Sequence, residues 1–215
     1  MPKYPLAAFS GGTLVNLLGE SNFWDYVRKK WQIPDLHEKY MKGEISREEL
    51  FGEYKFWQQR GLTKEVLEKA VREDLKLNEG AKEVFEELKK AGVTTAIISG
   101  SADILVKELR RLLNPKYVSY NEIVFDNKGL PFSTKPTHPT ADIRMDKIAA
   151  LRDFAERERR GMKECAVVVH QEEDRALCAV AGFSIAFNSL DEEITEAVDE
   201  VVKSDNMKDL LEFLL

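Results

Sequence analysis

The alternation of strand-like and helical segments in the second half of the chain constrains the fold more than any other feature. Apolar runs rich in Val and Ile occur at residues 93–99, 165–170 and 183–188, and helical patterns stand between them. Such alternation is typical of a parallel sheet whose two faces are both covered by helices. We therefore predict an α/β fold with a doubly wound parallel sheet, to which residues 122–133 add a hairpin.

A long helical segment separates the first strand-like run, residues 4–9, from the rest of this sheet. Apolar residues recur in that segment at spacings of three and four, which is typical of amphipathic helices. The pattern predicts four short helices, over residues 22–31, 35–43, 46–60 and 63–75. Ser46 followed by Glu49, and Thr63 further on, have the residue types of helix N-caps.

The domain organisation follows from this interruption of the sheet. At 215 residues the chain is long enough for one substantial core and a small second domain. We predict a small helical cap domain at residues 15–77, inserted after the first strand into a core formed by residues 1–14 and 78–215.

Composition and charge exclude several classes of function. The net charge is −6, and the basic residues are scattered among acidic ones, so we expect neither nucleic acid nor a membrane as a partner. No apolar run approaches the roughly 18 residues of a membrane span, and we expect a cytoplasmic protein. Cys165 and Cys178 are expected to be buried thiols, and a charged fraction of 33% is compatible with a thermophilic source. The sequence leaves oligomerisation open.

Three segments are expected to meet at the carboxyl ends of the strands, where α/β sheets bind ligands. They are Ser10–Thr13, Ser99–Ser101 and His170–Asp174. In the first, the paired glycines Gly11 and Gly12 let the chain curl around an anion, and Thr13 adds a hydroxyl. These features suit a phosphate, although a Gly-Gly pair is also common in ordinary turns.

The second segment and a lysine have the chemistry of an anion site. Ser99 and Gly100 end a strand just before a helix, where a hydroxyl and backbone amides face an anion. Simple helix capping is the alternative. Lys147 begins a helix, where a cation opposes the helix dipole; this suggests a ligand role, although by itself the observation favours an ordinary surface lysine.

The third segment contains a histidine followed by acidic residues. His170, Glu172, Glu173 and Asp174 could bind a metal or transfer protons. The acidic residues also suit the first turn of the next helix, and we prefer that structural role for the two glutamates.

Taken together, these segments resemble the haloacid dehalogenase (HAD) superfamily, most closely its phosphoserine phosphatase branch. "GGTLVN" aligns with the end of the family's first motif and "SGSADI" with the second. Lys147 stands as far ahead of His170 as the family lysine stands ahead of its first acidic metal ligand. "AGFSIAFN" and "VVKSDNMKDLL" resemble the closing segments, and the helical segment lies where this branch carries its cap. The resemblance implies a capped α/β core and, in active members, magnesium-dependent hydrolysis of phosphate esters.

The aspartates of the family's motifs are largely missing. The first motif is Asp-x-Asp-(Gly or Ser)-Thr, in which the first Asp attacks phosphorus and the second is the general acid and base. Aligned without a gap, these positions are Phe9 and Gly11; with one residue deleted, the first becomes Ser10. The first metal-ligand Asp falls on His170, and the second survives as Asp174. We therefore expect no catalytic residue, no metal site and no bound magnesium or other cofactor.

The remaining residues suit phosphate binding without hydrolysis. Enzymes accelerate phosphate monoester hydrolysis by about 10²¹, whereas a protease stripped of its catalytic residues retains only about 10³–10⁴. We expect a catalytically silent protein that binds phosphate, a phosphorylated metabolite or a protein partner. The expected phosphate-binding residues are Gly11, Gly12, Thr13, Ser99, Gly100 and Lys147.

Two alternatives stay open. The first is a phosphomonoesterase with altered chemistry, in which Ser10 or Thr13 is a nucleophile activated by His170, with Asp174 nearby. The second is a purely structural or oligomerising protein in which Phe9 fills the former site.

Substrate recognition also departs from the phosphoserine phosphatase pattern. The family glutamate after the first motif corresponds to Leu18, with Glu20 two residues on. Near the cap arginine the chain has Glu53 and Lys55, with Arg60 later, so we do not expect phosphoserine recognition. We expect the aromatic residues of this region to pack the cap onto the core rather than line a pocket; they are Phe23, Trp24, Trp31, Phe56 and Trp57.

Overall fold

The strands form a large sheet and a small one. The computed structural model describes residues 2–141 and 144–215, apart from the side chains of residues 37, 41, 47 and 48. The strands within these ranges are β1 (Leu6–Ser10), β2 (Val15–Leu17), β3 (Leu75–Leu77), β4 (Thr94–Ala102), β5 (Tyr117–Phe125), β6 (Pro131–Pro136), β7 (Cys165–Val169), β8 (Phe183–Phe187) and β9 (Glu200–Val202). The large sheet has the order β6-β5-β4-β1-β7-β8-β9. Only its β5–β6 pair is antiparallel, so the predicted parallel α/β fold and its hairpin are confirmed.

Helices cover both faces of this sheet and fill the segment between β2 and β3. They are α1 (Phe23–Trp31), α2 (His37–Met41), α3 (Arg47–Leu50), α4 (Glu53–Gln59), α5 (Lys64–Asp74), α6 (Ala81–Lys90), α7 (Asp103–Leu113), α8 (Lys147–Arg157), α9 (Arg175–Val180), α10 (Glu192–Thr195) and α11 (Leu211–Leu214). None of the helices described is long and apolar enough to cross a membrane.

Strand β1 shows why the central strands are apolar throughout. Successive side chains point to opposite faces of a sheet. Leu6 and Ala8 belong to the hydrophobic cluster that includes α8, whereas Ala7 and Phe9 belong to the cluster that includes α6. Both faces of β1 are therefore buried, and all five of its residues are buried as well. The strand can expose only its carboxyl end, where Ser10 stands.

Helices α1 to α5, which we call the helical insert, follow β2 and precede β3 along the chain; these two strands form the small sheet. Strands β2 and β3 pair in antiparallel fashion and bring the two ends of the insert together. The prediction of a single helix over residues 46–60 is wrong, because the described part of the insert has α3 and α4 there, separated at Gly52. The N-caps at Ser46, with Glu49, and at Thr63 are confirmed. The division of the chain at residues 14 and 78 stays a prediction.

Hydrogen bonds fix the insert above the carboxyl end of β4. The amide of Phe23 donates to Ser101 Oγ (2.9 Å), and Trp24 Nε1 donates to the carbonyl oxygen of Gly100 (3.0 Å). At the edge strand β6, Gln58 of α4 donates a hydrogen bond from Nε2 to the carbonyl oxygen of Pro131 (2.8 Å). The insert therefore covers the edge of the sheet at which the strands end.

Several side-chain predictions can be compared with these contacts. Cys165 and Cys178 are free and buried, as predicted. Phe23 and Trp57 are fully buried in the hydrophobic cluster, and Trp24 packs against it. Trp31 and Phe56 also pack against it, so the expected packing is confirmed for all five aromatic residues of the insert, although Trp24 and Trp57 also line a cavity.

Candidate functional site

A cavity of about 840 Å³ lies between the helical insert and the carboxyl ends of the strands. Its core side is lined by residues at the ends of β1, β4 and β7, and its other side by α1 and α4. The three segments expected to converge do so: Ser10, Ser99 and His170 all line this cavity. This is the position at which an α/β sheet of this kind binds its ligand.

The end of β1 places a serine, not a phenylalanine, on the cavity wall. Phe9 is 0% exposed, and its ring packs against that of Phe85 at a centroid distance of 4.8 Å. Ser10 is 7% exposed and lines the cavity. The ring of Phe9 lies in the core, so it does not fill the space above the strand ends.

The turn after β1 is held tightly from within. Residues Gly11–Thr13 form one turn of 3₁₀ helix. Thr13 is 2% exposed, and its hydroxyl donates to the carbonyl oxygen of Ser10 (2.7 Å). A Cβ atom at Gly11 would lie 2.5 Å from Ser99 Oγ, so only a glycine allows the turn to approach β4 this closely. Gly12 lines the cavity, whereas Gly11 and Thr13 are not among its lining residues.

His170 lies directly over Gly12. A Cβ atom at Gly12 would stand 2.0 Å from His170 Cε1 and 2.1 Å from Nε2. Neither ring nitrogen has a hydrogen-bond partner among the described residues, and both are buried. Burial lowers the pKa of His170 below its ordinary value, against the opposing effect of Asp174. The imidazole is therefore neutral at neutral pH.

Lys147 is held by two carboxylates. Its Nζ lies 2.6 Å from Asp174 Oδ1 and 3.7 Å from Glu173 Oε2. Burial disfavours the charged amine, but the ion pairs with Asp174 and Glu173 outweigh this effect and raise the pKa of Lys147. Asp174 is 0% exposed and does not line the cavity. Its Oδ1 pairs with the lysine, whereas its Oδ2 is buried and has no hydrogen-bond partner among the described residues.

Groups at the end of β4 form hydrogen bonds within the strand, with the insert and with β5. Ser99 Oγ accepts from the amide of Ser101 (3.1 Å). The carbonyl oxygen of Gly100 accepts from Trp24 Nε1 and from Asn121 Nδ2 (2.6 Å). Sequence reasoning did not find Asn121 or the bond made by Trp24, since neither residue lies near the motif in sequence.

The insert side of the cavity contains an arginine surrounded by carboxylates. Arg28 Nη1 lies 3.0 Å from Asp25 Oδ1, Nη2 lies 3.4 Å from Glu53 Oε2, and Nε lies 3.5 Å from Asp35 Oδ1. Glu53 Oε1 also accepts from Trp57 Nε1 (3.2 Å). Burial raises the pKa of Glu53, although Arg28 acts in the opposite direction.

This arginine was not found by sequence reasoning, which looked for the family's cap residues. Of the positions considered there, Glu53 lines the cavity, but Leu18, Glu20, Lys55 and Arg60 are not among its lining residues. The periodic apolar pattern of α1 gave no signal for Arg28, because a single basic residue in a charge-rich helix is unremarkable.

The architecture described above defines a class of α/β proteins: a parallel sheet with a helical insert after its first strand and a covered cavity at the strand ends. The family model for haloacid dehalogenase-like hydrolases matches residues 12–169, and the chain belongs to this family. It is similar to a phosphoserine phosphatase of Archaeoglobus fulgidus, with 30% identity over 183 residues that make up 85% of this chain. The chain spans about half of that relative's length (52%).

Solved structures have the same fold. One is described as a phospho-aspartyl intermediate analogue of phosphoserine phosphatase; it has a TM-score of 0.76 at 21% identity, covering 98% of each chain. A HAD family hydrolase of Salmonella enterica serovar Typhi gives a TM-score of 0.76 at 20% identity, covering 97% of this chain and 70% of the other. The predicted resemblance to the phosphoserine phosphatase branch is confirmed.

Proposed function

We propose that this chain is a phosphoserine phosphatase-like protein that binds a phosphorylated small molecule in the cavity under the insert and does not hydrolyse it through an aspartyl-phosphate. One observation carries the proposal. The cavity-facing positions at the end of β1 are Ser10 and Gly12, and the ring of His170 occupies the space that a side chain at position 12 would need. Ser10 is not a carboxylate and position 12 has no room for one, so these two positions supply neither the nucleophile nor the general acid and base of the aspartyl-phosphate route.

The two positions that align with the family's first and second metal-ligand aspartates, 170 and 174, do not suit magnesium. Magnesium prefers oxygen ligands in nearly octahedral geometry, whereas position 170 offers a buried imidazole. Asp174 is fully buried and does not line the cavity, and its Oδ1 is paired with Lys147, so that only its Oδ2 lacks a partner among the described residues. We infer that this chain binds its phosphate without the metal that active members of the family use.

The groups that could hold a phosphate are hydroxyls, backbone amides and one ammonium group. Ser10 and Ser99 line the cavity, as do Gly12 and Lys147. Charge-assisted hydrogen bonds from Lys147 and contacts with a glycine turn are typical of phosphate sites. The residues proposed for phosphate binding are therefore Ser10, Gly12, Ser99, Gly100 and Lys147, with the backbone of Gly11 and Thr13 behind them.

A second candidate function is a phosphomonoesterase of altered chemistry. The observation in its favour is that His170 lacks a hydrogen-bond partner among the described residues and shares the cavity with Ser10; burial also lowers its pKa, which favours the neutral form. A neutral imidazole is the form that a general base requires. By contrast, a structural role with a filled site is disfavoured, because the ring of Phe9 leaves the cavity open.

Two measurements on the purified protein test these candidates. The first is phosphate release from p-nitrophenyl phosphate and phosphoserine, with magnesium and again with a chelator. We expect none above a boiled control; release that His170→Ala abolishes would establish the second candidate. The second is thermal stability in millimolar inorganic phosphate. A ligand at 100 times its dissociation constant stabilises the folded state by about 2.7 kcal/mol, and the absence of any shift with phosphate or phosphate esters would contradict the binding proposal.

A further inference from the structure

We propose that the bound molecule is a phosphorylated amine without a carboxylate, with its phosphate at the strand ends and its positive nitrogen at the insert side near Asp25 and Glu53. The inference rests on the function proposed above and names the class of ligand.

Negative charge predominates in the cavity. Among the described residues, six carboxylate side chains line it against three cationic ones, Arg28, Arg144 and Lys147. Four of the carboxylates belong to the core, and Asp25 and Glu53 belong to the insert. A phosphate dianion alone would meet net repulsion in this space. A ligand that carries its own positive charge offsets that repulsion, and this is the first reason for an amine.

The cations described at the two ends of the cavity already have carboxylate partners. Lys147 pairs with Asp174, and at the insert side the guanidinium of Arg28 stands within 3.5 Å of oxygens of Asp25, Asp35 and Glu53. A carboxylate on the ligand would have to compete with three protein carboxylates for this one arginine. An ammonium group at the same place would instead be attracted by them, so the insert side selects against an acid and for an amine.

Aromatic rings at the insert side add to this preference. Trp24, Tyr54 and Trp57 line the cavity there, with ring centroids of Trp24 and Trp57 6.1 Å apart and those of Tyr54 and Trp57 5.4 Å apart. The faces of aromatic rings attract ammonium groups, most strongly in Trp. Since Trp57 is fully buried, Trp24 is the indole that meets a ligand directly, and its combination with carboxylates on the same wall suits an organic cation.

Isothermal titration calorimetry with defined probes tests the inference. O-phosphoethanolamine and glycerol 3-phosphate are of similar size and both carry a phosphate, but only the first has an amine. At pH 7.5 and constant ionic strength, in the presence of a chelator, we expect O-phosphoethanolamine to bind at least ten times more tightly, which corresponds to about 1.4 kcal/mol. Phosphoserine, which adds a carboxylate, should bind more weakly than O-phosphoethanolamine.

Two variants locate the amine. Asp25 has a side chain that is 46% exposed, so Asp25→Asn should fold normally; it should reduce the preference to less than three-fold without weakening the binding of glycerol 3-phosphate. The matched control is Glu20→Gln, which removes an acid paired with Lys29 outside the lining of the cavity. This control should keep the full preference.

The outcomes separate the inference from the proposed function. Equal affinity for the two probes, tighter binding of phosphoserine, or a preference that Asp25→Asn leaves unchanged would overturn the inference while phosphate binding stands. If neither phosphate ester binds, or if ethanolamine binds as tightly as its phosphate ester, the proposed function fails as well. The ten-fold preference, lost in Asp25→Asn and kept in Glu20→Gln, is the result that supports it.

Discussion

The contact between Gly12 and His170 gives a sharp test of the site geometry. We consider Gly12→Ala, because a Cβ atom there would lie 2.0 Å from His170 Cε1 and 2.1 Å from Nε2. Such distances are far inside van der Waals contact, so the imidazole ring or the turn must move. Overpacking of a buried site usually destabilises a protein by about 1–3 kcal/mol, and we expect Gly12→Ala to fall in this range.

Gly12→Ala should stabilise the protein, instead of destabilising it, once the imidazole ring of His170 is removed. In a His170→Ala background the added methyl group has space. Position 12 has a backbone conformation outside the left-handed region, so alanine is tolerated there. Replacement of glycine by alanine at a compatible position stabilises by about 0.4–1 kcal/mol through the unfolded state. The two effects combine into a coupling free energy of about 1.5–4 kcal/mol between positions 12 and 170.

Urea denaturation of the four proteins in this cycle measures the coupling. For a chain of this length, a change of 1 kcal/mol in the free energy of unfolding also shifts the thermal midpoint by about 2–4 °C, so thermal unfolding can detect the same difference. Gly161→Ala is the matched control: the nearest atom to its added Cβ would be 3.9 Å away, and we expect a change within about 0.5 kcal/mol. If Gly12→Ala destabilised equally with and without His170, the ring would not lie over the turn and the reasoning about the cavity would be refuted.

Three further predictions concern stability. Asp174→Asn should destabilise the protein by about 3–5 kcal/mol in urea denaturation, since it leaves Lys147 without its buried partner. The control Glu73→Gln breaks an exposed pair with Lys69 and should change the free energy of unfolding by less than about 0.5 kcal/mol. Because burial lowers the pKa of His170 in the folded state, the unfolded state takes up a proton at a higher pH than the folded state does. The free energy of unfolding should therefore fall as the pH drops below about 6.5, by at most about 1.4 kcal/mol per pH unit from this group. His170→Gln should flatten that slope in denaturation curves recorded from pH 5 to 7. Thr63→Ala, which removes the N-cap of α5, should lower stability by about 1 kcal/mol in the same assay.

The sequence predicts the sheet well because its signals are local. The Val- and Ile-rich runs and the helices between them follow from spacing alone, and the hairpin follows from alternation around a turn. The pairing of β2 with β3 was not predicted, since three-residue strands such as Val15–Leu17 are too short to show a period of two. The division between α3 and α4 at Gly52 was missed because apolar spacing continues across it.

The candidate site was predictable only as a set of segments. Topology brings the ends of three strands together, and this follows from the α/β pattern. The ion pair of Lys147 with Asp174 and the cluster around Arg28 depend on side-chain geometry between elements far apart in sequence, for which spacing gives no signal. The alignment also left Phe9 and Ser10 as alternatives, and the alternation of side chains along β1 distinguishes them: the ring lies in the core and the hydroxyl faces the cavity.

Under the function proposed above, the fit of His170 over Gly12 bears on how phosphatase activity could be introduced. An aspartate introduced at Gly12 alone would place its Cβ within 2.1 Å of the imidazole, so it would destabilise the fold before it could act as an acid or base. An aspartate at position 170 alone would remove the ring but leave Ser10 as the cavity-facing group at the end of β1. Since each exchange is useful only when the others are present, we expect single substitutions at these positions to yield no phosphatase activity. Gly11, with which the family's second aspartate aligns, does not line the cavity, whereas Ser10 and Gly12 do, so the combination of Ser10→Asp, Gly12→Asp and His170→Asp is the fair test of whether phosphatase activity can be introduced.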